Sequence, residues 1–584
     1  MARLDPHSYA DDTHPSVTAL DWEARVDFAS RTLDATVTLR LDAPAGGPLD
    51  LDTRGLSITS VTTEKGEPVE YTLHPEDPIL GARLSLTLPP ATRAVTVRYR
   101  TSPDASALQW LDPAQTAGKK HPFLFSQCQA IHARAVLPLQ DTPQRRVTFT
   151  ARLTVPRALR GLMAAAFDGR DEDGDTATER WHMPQPIAPY LFAFAVGELA
   201  SRELGPRTVV WAEPSVVDRA AWEFAEVNAM LAAGESLFGP YGWDRFDVLV
   251  MPPSFPYGGM ENPRLTFVTP TLLAGDRTQA RVIAHELAHA WTGNLVTNAT
   301  AEHFWLNEGW TRFAELRIVE ALEGPDAAAL MAALCRLDLD EAVARFTREG
   351  HPELTKLRTR LDGVDPDEAF SVVPYDKGYL LLRAIELHVG RERFDGFARR
   401  YLDAFAFGAV TTEDFVAFTE RELPGALDAV DARAYLDAEG IPPGAPSARS
   451  ARLDAVLALG STVPPASETL DATELNLFLD RLPRPQSHAY CAALDARFGL
   501  SSAGNMEVKV AWLRLALASR YDLVLPEVER VLTTVGRMKY LAPLYGDLAS
   551  RPETKDLARE VFARAAAGYH PIARAVVRGR LDRG

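Results

Sequence analysis

A multidomain α+β chain is what the sequence predicts, on three observations. Roughly the first 198 residues alternate apolar and polar positions with the period of half-buried strands. From about Glu203 short apolar strands give way to long helical stretches, and past a Pro/Gly/Ser-rich run the remaining segments are amphipathic helices. A chain of 584 residues is several times the size of one compact domain. The expected division is a β-sheet domain over 1–198, a mixed α/β domain over 199–440, a linker over 441–452 and a helical domain over 453–584.

In the first domain Leu33, Ala35, Val37, Leu39 and Leu41 alternate with Asp34, Thr36, Thr38 and Arg40. Leu84, Leu86 and Leu88 repeat the pattern, as do Val95, Val97 and Tyr99. Ala45-Gly-Gly-Pro48 and the acidic, Gly-containing run 168–175 read as turns, so a large antiparallel assembly is expected. In the second domain Phe246–Met251 and Leu265–Val268 read as buried strands, and Ala280–Gly293 and Glu308–Leu322 as helices. The run IPPGAPSARS at 441–450 reads as linker. Beyond it, segments 472–482, 507–519 and 526–535 suggest paired helices stacked like a solenoid, without a repeat of fixed length.

Composition excludes several classes. A net charge of -17, from 79 acidic and 62 basic residues, argues against nucleic-acid binding, which needs a basic face. Three scattered cysteines, Cys128, Cys335 and Cys491, form no disulfide framework or thiolate zinc motif and fit a reducing compartment. The start MARLDPHSYADDTHPS lacks the basic and apolar regions of a signal peptide, and the longest apolar run, Ile187–Val196, is short and contains Pro189. A cytoplasmic protein with no membrane partner is expected, its oligomeric state open with a monomer favoured.

The chemistry is concentrated in His285-Glu286-Leu287-Ala288-His289. Residues four apart share one face of a helix, so both imidazoles can converge on one ion, and Glu286 can address a water there. Eighteen residues on, Glu308 in Asn307-Glu308-Gly309-Trp310 can arrive from a second, antiparallel helix. Three protein ligands leave a fourth position open, as in catalytic zinc sites, so one Zn2+ per chain is expected. Val282, Ile283, Leu287 and Ala290 read as the packed face of the same helix. Glu315 reads equally as an outer partner of a ligating histidine or as a surface glutamate. Upstream, Tyr257-Gly258-Gly259-Met260-Glu261-Asn262 combines a glycine pair that permits close backbone approach with a carboxylate able to bind a free ammonium; a plain Gly-Gly turn is the alternative.

Together these strings resemble the gluzincin aminopeptidases, the aminopeptidase N family, and within it the branch of leukotriene-A(4) hydrolase and aminopeptidase B. Similar strings run almost end to end: LFSQCQAIHARAVLPLQDTP at 124–143, PPSFPYGGMENPRLTFVTPTLLAGD at 252–276, HELAHAWTGNLVTN at 285–298, FWLNEGW at 304–310, VPYDKG at 373–378 and GRMKY at 536–540. The first ~100 residues and 400–500 match loosely. The resemblance implies an N-terminal antiparallel β-saddle domain, a thermolysin-like α/β catalytic domain and a C-terminal α-helical, solenoid-like domain. It implies a zinc aminopeptidase acting on short peptides.

Residue by residue, the resemblance assigns Glu261 and Gln129 to the substrate amine, and Tyr257, Gly258, Gly259 and Met260 to the peptide's path. It assigns Glu286 to proton transfer and Tyr375 to the oxyanion. Asp367 would face a basic first side chain, and Arg537 and Lys539 the C-terminal carboxylate. Read without it, Arg537 and Lys539 are helix-end charges and Tyr375 an aromatic in a loop after Pro374. Phe370, five residues before Tyr375, stands where the lipid-epoxide branch carries a tyrosine. Epoxide hydrolysis on the same zinc is therefore the second expectation, and a non-enzymatic scaffold the third. The presence of ligands, base, amine anchor and oxyanion donor together argues against the last.

Overall fold

The computed structural model describes residues 5–583; the first four residues and Gly584, which the expected domain boundaries include, lie outside the described residues. Three domains follow one another along the chain: β, mixed α/β and α.

An eight-stranded sheet opens the molecule. Its spine is the long pair Thr32–Thr53 and Ala82–Arg100, antiparallel from Asp34↔Arg100 to Thr53↔Ala82. Leu33, Ala35, Val37 and Leu39 are buried while Asp34 and Arg40 face water, as the alternation requires. Ala45–Pro48, expected as a turn, lies inside the first strand instead. There the register slips between Arg40 and Ala45 and again before Gly47, with Gly47 at φ 92° and Ala91 opposite at φ 63°. This irregularity resets the side-chain parity. Leu84, Leu86 and Leu88 at even positions and Val95, Val97 and Tyr99 at odd ones therefore all reach the same core. The acidic run does turn, at Gly174-Asp175 between strands Ala166–Asp173 and Thr176–Ile187.

A second, four-stranded sheet is fully enclosed and contains Phe123–Ser126, which leads directly to Gln129. The middle domain carries a five-stranded sheet. Its parallel strands Thr208–Ala212, Asp247–Val250 and Leu265–Val268 are flanked by antiparallel Ala200–Gly205 at one edge and the two-residue strand Gly259–Met260 at the other. Below it run the helices Arg281–Ala288, Trp305–Glu323 and Val373–Val389. The first stops five residues short of the expected Gly293, because Ala290 and Trp291 bond three residues back instead of four and the chain turns to Gly293 at φ 132°. The other two cross glycine to glycine: a Cβ on Gly309 or Gly378 would lie 2.8 Å from the other's Cα. Any side chain there would push apart the two helices that carry Glu308 and Tyr375.

Residues 441–450 hold no helix or strand, and eight helices follow, from Ala451–Ala458 to Pro571–Arg583. They build their own core around Trp512, Leu541 and Tyr545 and reach Leu330 and Ala333 of the helix Pro325–Glu349. The sheet domain and the α/β domain share a separate, continuous core. The helical domain also grips the site directly: Gly536 N–H donates to Pro253 O at 2.6 Å and Met538 N–H to Pro256 O at 2.8 Å.

Candidate functional site

The helix Arg281–Ala288 presents His285 and Glu286, and His289 caps its end in helical geometry. The next helix begins at Trp305, so Glu308 sits in its first turn, pointing back across the gap. His285 Nε2 is 3.3 Å and His289 Nε2 3.6 Å from Glu308 Oε2, and the three donor atoms lie within 4.8 Å of one another. The far nitrogens are already committed. His285 Nδ1 is 2.9 Å from Glu315 Oε2, which Arg312 Nη1 also holds at 2.6 Å, and His289 Nδ1 is 3.1 Å from Thr311 Oγ1. Glu315, seven residues beyond Glu308, is buried and not a surface glutamate.

Fit to a cation is tested by the donor set itself. Glu308 Oε2 is enclosed and accepts no hydrogen bond of its own, although buried carboxylate oxygens are rarely left unpaired. Two imidazoles oriented from behind and one orphaned carboxylate oxygen suit a zinc ion. Electrostatics agree. Burial pushes Glu286 up to about 8, with Glu308 and Glu315 adding to the rise against His285. Burial and the Glu308 and Glu286 carboxylates push Glu261 well above the usual range. Burial opposes protonation of His285, yet Glu308 and Glu315 hold it up to about 10, whereas burial brings His289 down to about 4. For Glu308 burial is outweighed by the two histidines, which lower it. Carboxyl groups crowded together away from water resist ionisation, and a cation bound among them would relieve that strain.

Glu261 follows the edge strand Gly259–Met260 and forms a second tight group with Glu286 and His289, again within 4.8 Å. Gln129 Nε2 donates to Glu261 Oε1 at 3.3 Å, and Asn294 Nδ2 fixes the Glu261 carbonyl at 2.6 Å. Gly258 and Gly259 form no glycine turn. A Cβ on Gly259 would lie 2.2 Å from Glu286 Oε1, and one on Gly258 2.9 Å from an Arg537 nitrogen, so their smallness makes room for the site's own charges. Met260 is buried, its sulfur 3.2 Å from Gln127 Nε2.

Tyr375 is in the first turn of the helix Val373–Val389, not in a loop, and its ring stacks 5.9 Å from His285. Burial and the Glu308 carboxylate push its hydroxyl well above its ordinary value, which keeps it a donor. Tyr257, Phe304, Phe370 and Tyr375 form an aromatic wall with centroids 5.9–6.3 Å apart. Tyr257, Phe304 and Phe370 line a cavity together with Ile131, Trp305, Leu357 and Asp367.

Arg537 and Lys539 meet on one carboxylate, Glu507, but in different surroundings. Arg537 is buried beside Gly258 at the start of the helix Met538–Ala549, its Nη1 2.7 Å from the Tyr540 hydroxyl and 3.2 Å from Glu507 Oε1. Lys539 is 62% exposed and meets the other Glu507 oxygen at 2.8 Å. Sequence reasoning missed Glu507, thirty residues upstream with no motif around it. It also missed His132, whose only signal is a position one turn after Gln129.

Family models match along the chain: the peptidase M1 N-terminal domain over 6–191, the peptidase family M1 domain over 222–433, and the leukotriene A4 hydrolase C-terminal domain over 470–581. A leukotriene A-4 hydrolase of Xenopus laevis is 38% identical, with 98% of each chain covered. A leucine aminopeptidase 2 of Yarrowia lipolytica is 37% identical, covering 98% of this chain and 93% of that one. A yeast LTA4 hydrolase solved with bestatin superposes with a TM-score of 0.91 at 33% identity, over 99% of this chain and 97% of the other. With identity at this level sustained from end to end, the chain belongs to the peptidase M1 family of zinc-dependent hydrolases, with a C-terminal domain of the leukotriene A4 hydrolase kind.

Proposed function

We propose that the protein is an aminopeptidase that removes single residues from the N-terminus of short peptides, favouring a basic first residue. One observation carries the reading: the enclosed Glu261 carboxylate lies in the same tight group as Glu286 and His289. A peptide can satisfy that carboxylate only by ending there in a free ammonium, which leaves its first peptide bond beside Glu286.

His285, His289 and Glu308 would hold the zinc ion. Bound there, zinc supplies a Lewis acid that acidifies water and polarises a carbonyl. Glu261 and Gln129 hold the α-ammonium. Glu286 takes the proton of the attacking water on its carboxylate and returns it to the departing amine. The Tyr375 hydroxyl donates to the oxygen on which negative charge develops. Arg537 and Lys539 attract the far carboxylate, and Asp367 attracts a cationic first side chain. Among the described residues no helix is long and apolar enough to cross a membrane, and the three cysteines are free and buried. The free cysteines support a reducing, cytoplasmic setting, and a monomer is the form to test.

The test is a panel of arginyl, lysyl, leucyl and alanyl arylamides, each with a free and an acetylated amine. Free-amine arginyl substrate is expected to turn over best and every acetylated one to be inert. Equal cleavage of acetylated substrates would remove the exopeptidase reading, and alanine well ahead of arginine the basic preference.

Epoxide hydrolysis is the second reading. The apolar cavity lined by Tyr257 and Phe304 favours it, since it could take an acyl chain, and one relative bears the name leukotriene A-4 hydrolase. Phe370, lacking a hydroxyl, weakens it. Formation of a diol from a fatty-acid epoxide, abolished by Glu308→Gln, is the measurement that would raise it to first place.

A further inference from the structure

One turn of the N-terminal domain contributes Gln129, Ala130 and Ile131 to the cavity lining, with His132 next in the chain. His132 N–H donates to Cys128 O at 2.8 Å, closing a short turn that carries both Gln129 and His132. Gln129 reaches Glu261, and His132 Nε2 lies 2.9 Å from Asp367 Oδ2. His132 is buried, at 6% side-chain exposure, while Asp367 keeps 25% towards the cavity.

The other ring nitrogen is engaged as well. Nδ1 of His132 lies 2.8 Å from Ser106 Oγ and 3.4 Å from Arg54 Nη1. The imidazole is thus held from behind while its Nε2 edge is turned to Asp367. Arg54 is held in turn by the Ile79 carbonyl, with Asp365 and Glu76 as nearby carboxylates. His570 of the helical domain is near enough to feel His132, and burial brings it down to about 3. Asp367 N–H donates to Asp365 Oδ1 at 3.0 Å, which fixes the backbone of the same loop.

We propose that Arg54 and His132 form a positioning relay that orients the Asp367 carboxyl group, making His132 a specificity-determining residue for a cationic first side chain. The proposal rests on the basic preference above. Arg54 orders the imidazole, the imidazole orders one carboxylate oxygen, and the other is left for the substrate. Because Gln129 and His132 share a turn, the same short segment sets both the amine anchor and the side-chain anchor. Neither Arg54 nor His132 touches the peptide bond.

The test compares arginyl arylamide with its neutral isostere, citrullyl arylamide, on the zinc-loaded full chain. In the wild type arginine leads. In His132→Phe the arginine-to-citrulline ratio of kcat/KM is expected to fall roughly tenfold through KM for arginine, with kcat and the citrulline values within about twofold. His132→Gln, which keeps an N–H donor, should recover most of the ratio, and Asp367→Asn should abolish it. An unchanged ratio in His132→Phe, or an equal loss on both substrates, overturns the relay while leaving the basic preference standing. A wild type that does not distinguish the two substrates overturns the preference itself and the relay with it. Should His132→Phe fail to fold, Arg54→Met gives the same comparison, with the same two outcomes.

Discussion

The two ends of the cleft are built differently. At the amine end Glu261, Glu286, His289, Glu308 and Glu315 are all buried, their partners coming from the catalytic domain except Gln129, which reaches Glu261 from the sheet domain. At the far end Arg537 is buried but shares Glu507 with Lys539, which is largely in water. A charge removed from the first end leaves its partners uncompensated where the dielectric is low; at the second, water and counter-ions substitute. The contrast teaches that the same residue types, carboxylates beside cations, are worth very different amounts according to what surrounds them.

The strongest attack on this contrast is Glu286→Gln. We expect kcat to fall by about a thousandfold or more, with zinc content by elemental analysis unchanged. A loss below tenfold would mean that the proton is handled elsewhere. Next comes Glu315→Ala, which frees His285 Nδ1 and leaves Arg312 with Asp376 alone as its carboxylate partner. Zinc affinity, measured by competition with a chelator, should drop by roughly 10- to 100-fold. Unaltered affinity would show that the ligand needs no orientation from behind.

The smallest effect belongs to Glu507→Gln. Burial raises Glu507, but Lys539 and Arg537 outweigh it and bring it down to about 2. Its folded value lies below its ordinary one. The stability it contributes is therefore present above about pH 4.5 and is lost as pH falls towards 2. With Lys539 well exposed, we expect about 1 kcal/mol at neutral pH. The Tm gap between wild type and variant should be open at pH 7 and close on acidification. A gap that persists at pH 2 would show that Glu507 acts through packing rather than charge.

Much of this was legible in the chain. The i, i+4 histidines needed only helical geometry, and strands Asp247–Val250 and Leu265–Val268 only their apolar runs. The helices Ala472–Arg481, Met506–Ala518 and Leu525–Thr534 fall within about a residue of the amphipathic segments. Ala45–Pro48 misled because a glycine pair permits a bulge as readily as a turn, and which one forms depends on the partner strand. The helix after Arg281 misled because apolar periodicity continues through Ala290 and Trp291, where Thr292 and Gly293 fold back towards Asn307 and Thr311. Glu315 left two readings open, since position seven on a helix specifies a face but not what covers it.

By itself the sequence determined what repeats over a few residues: strand parity, helix faces, and the spacing that lets two imidazoles meet. Tertiary structure alone decided that Gln129 and His132 of the sheet domain, Asp367 of the catalytic domain and Arg537 of the helical domain would border one cleft. The reason is physical: backbone geometry sets local spacing residue by residue, whereas contacts between distant segments arise only when whole faces are buried together.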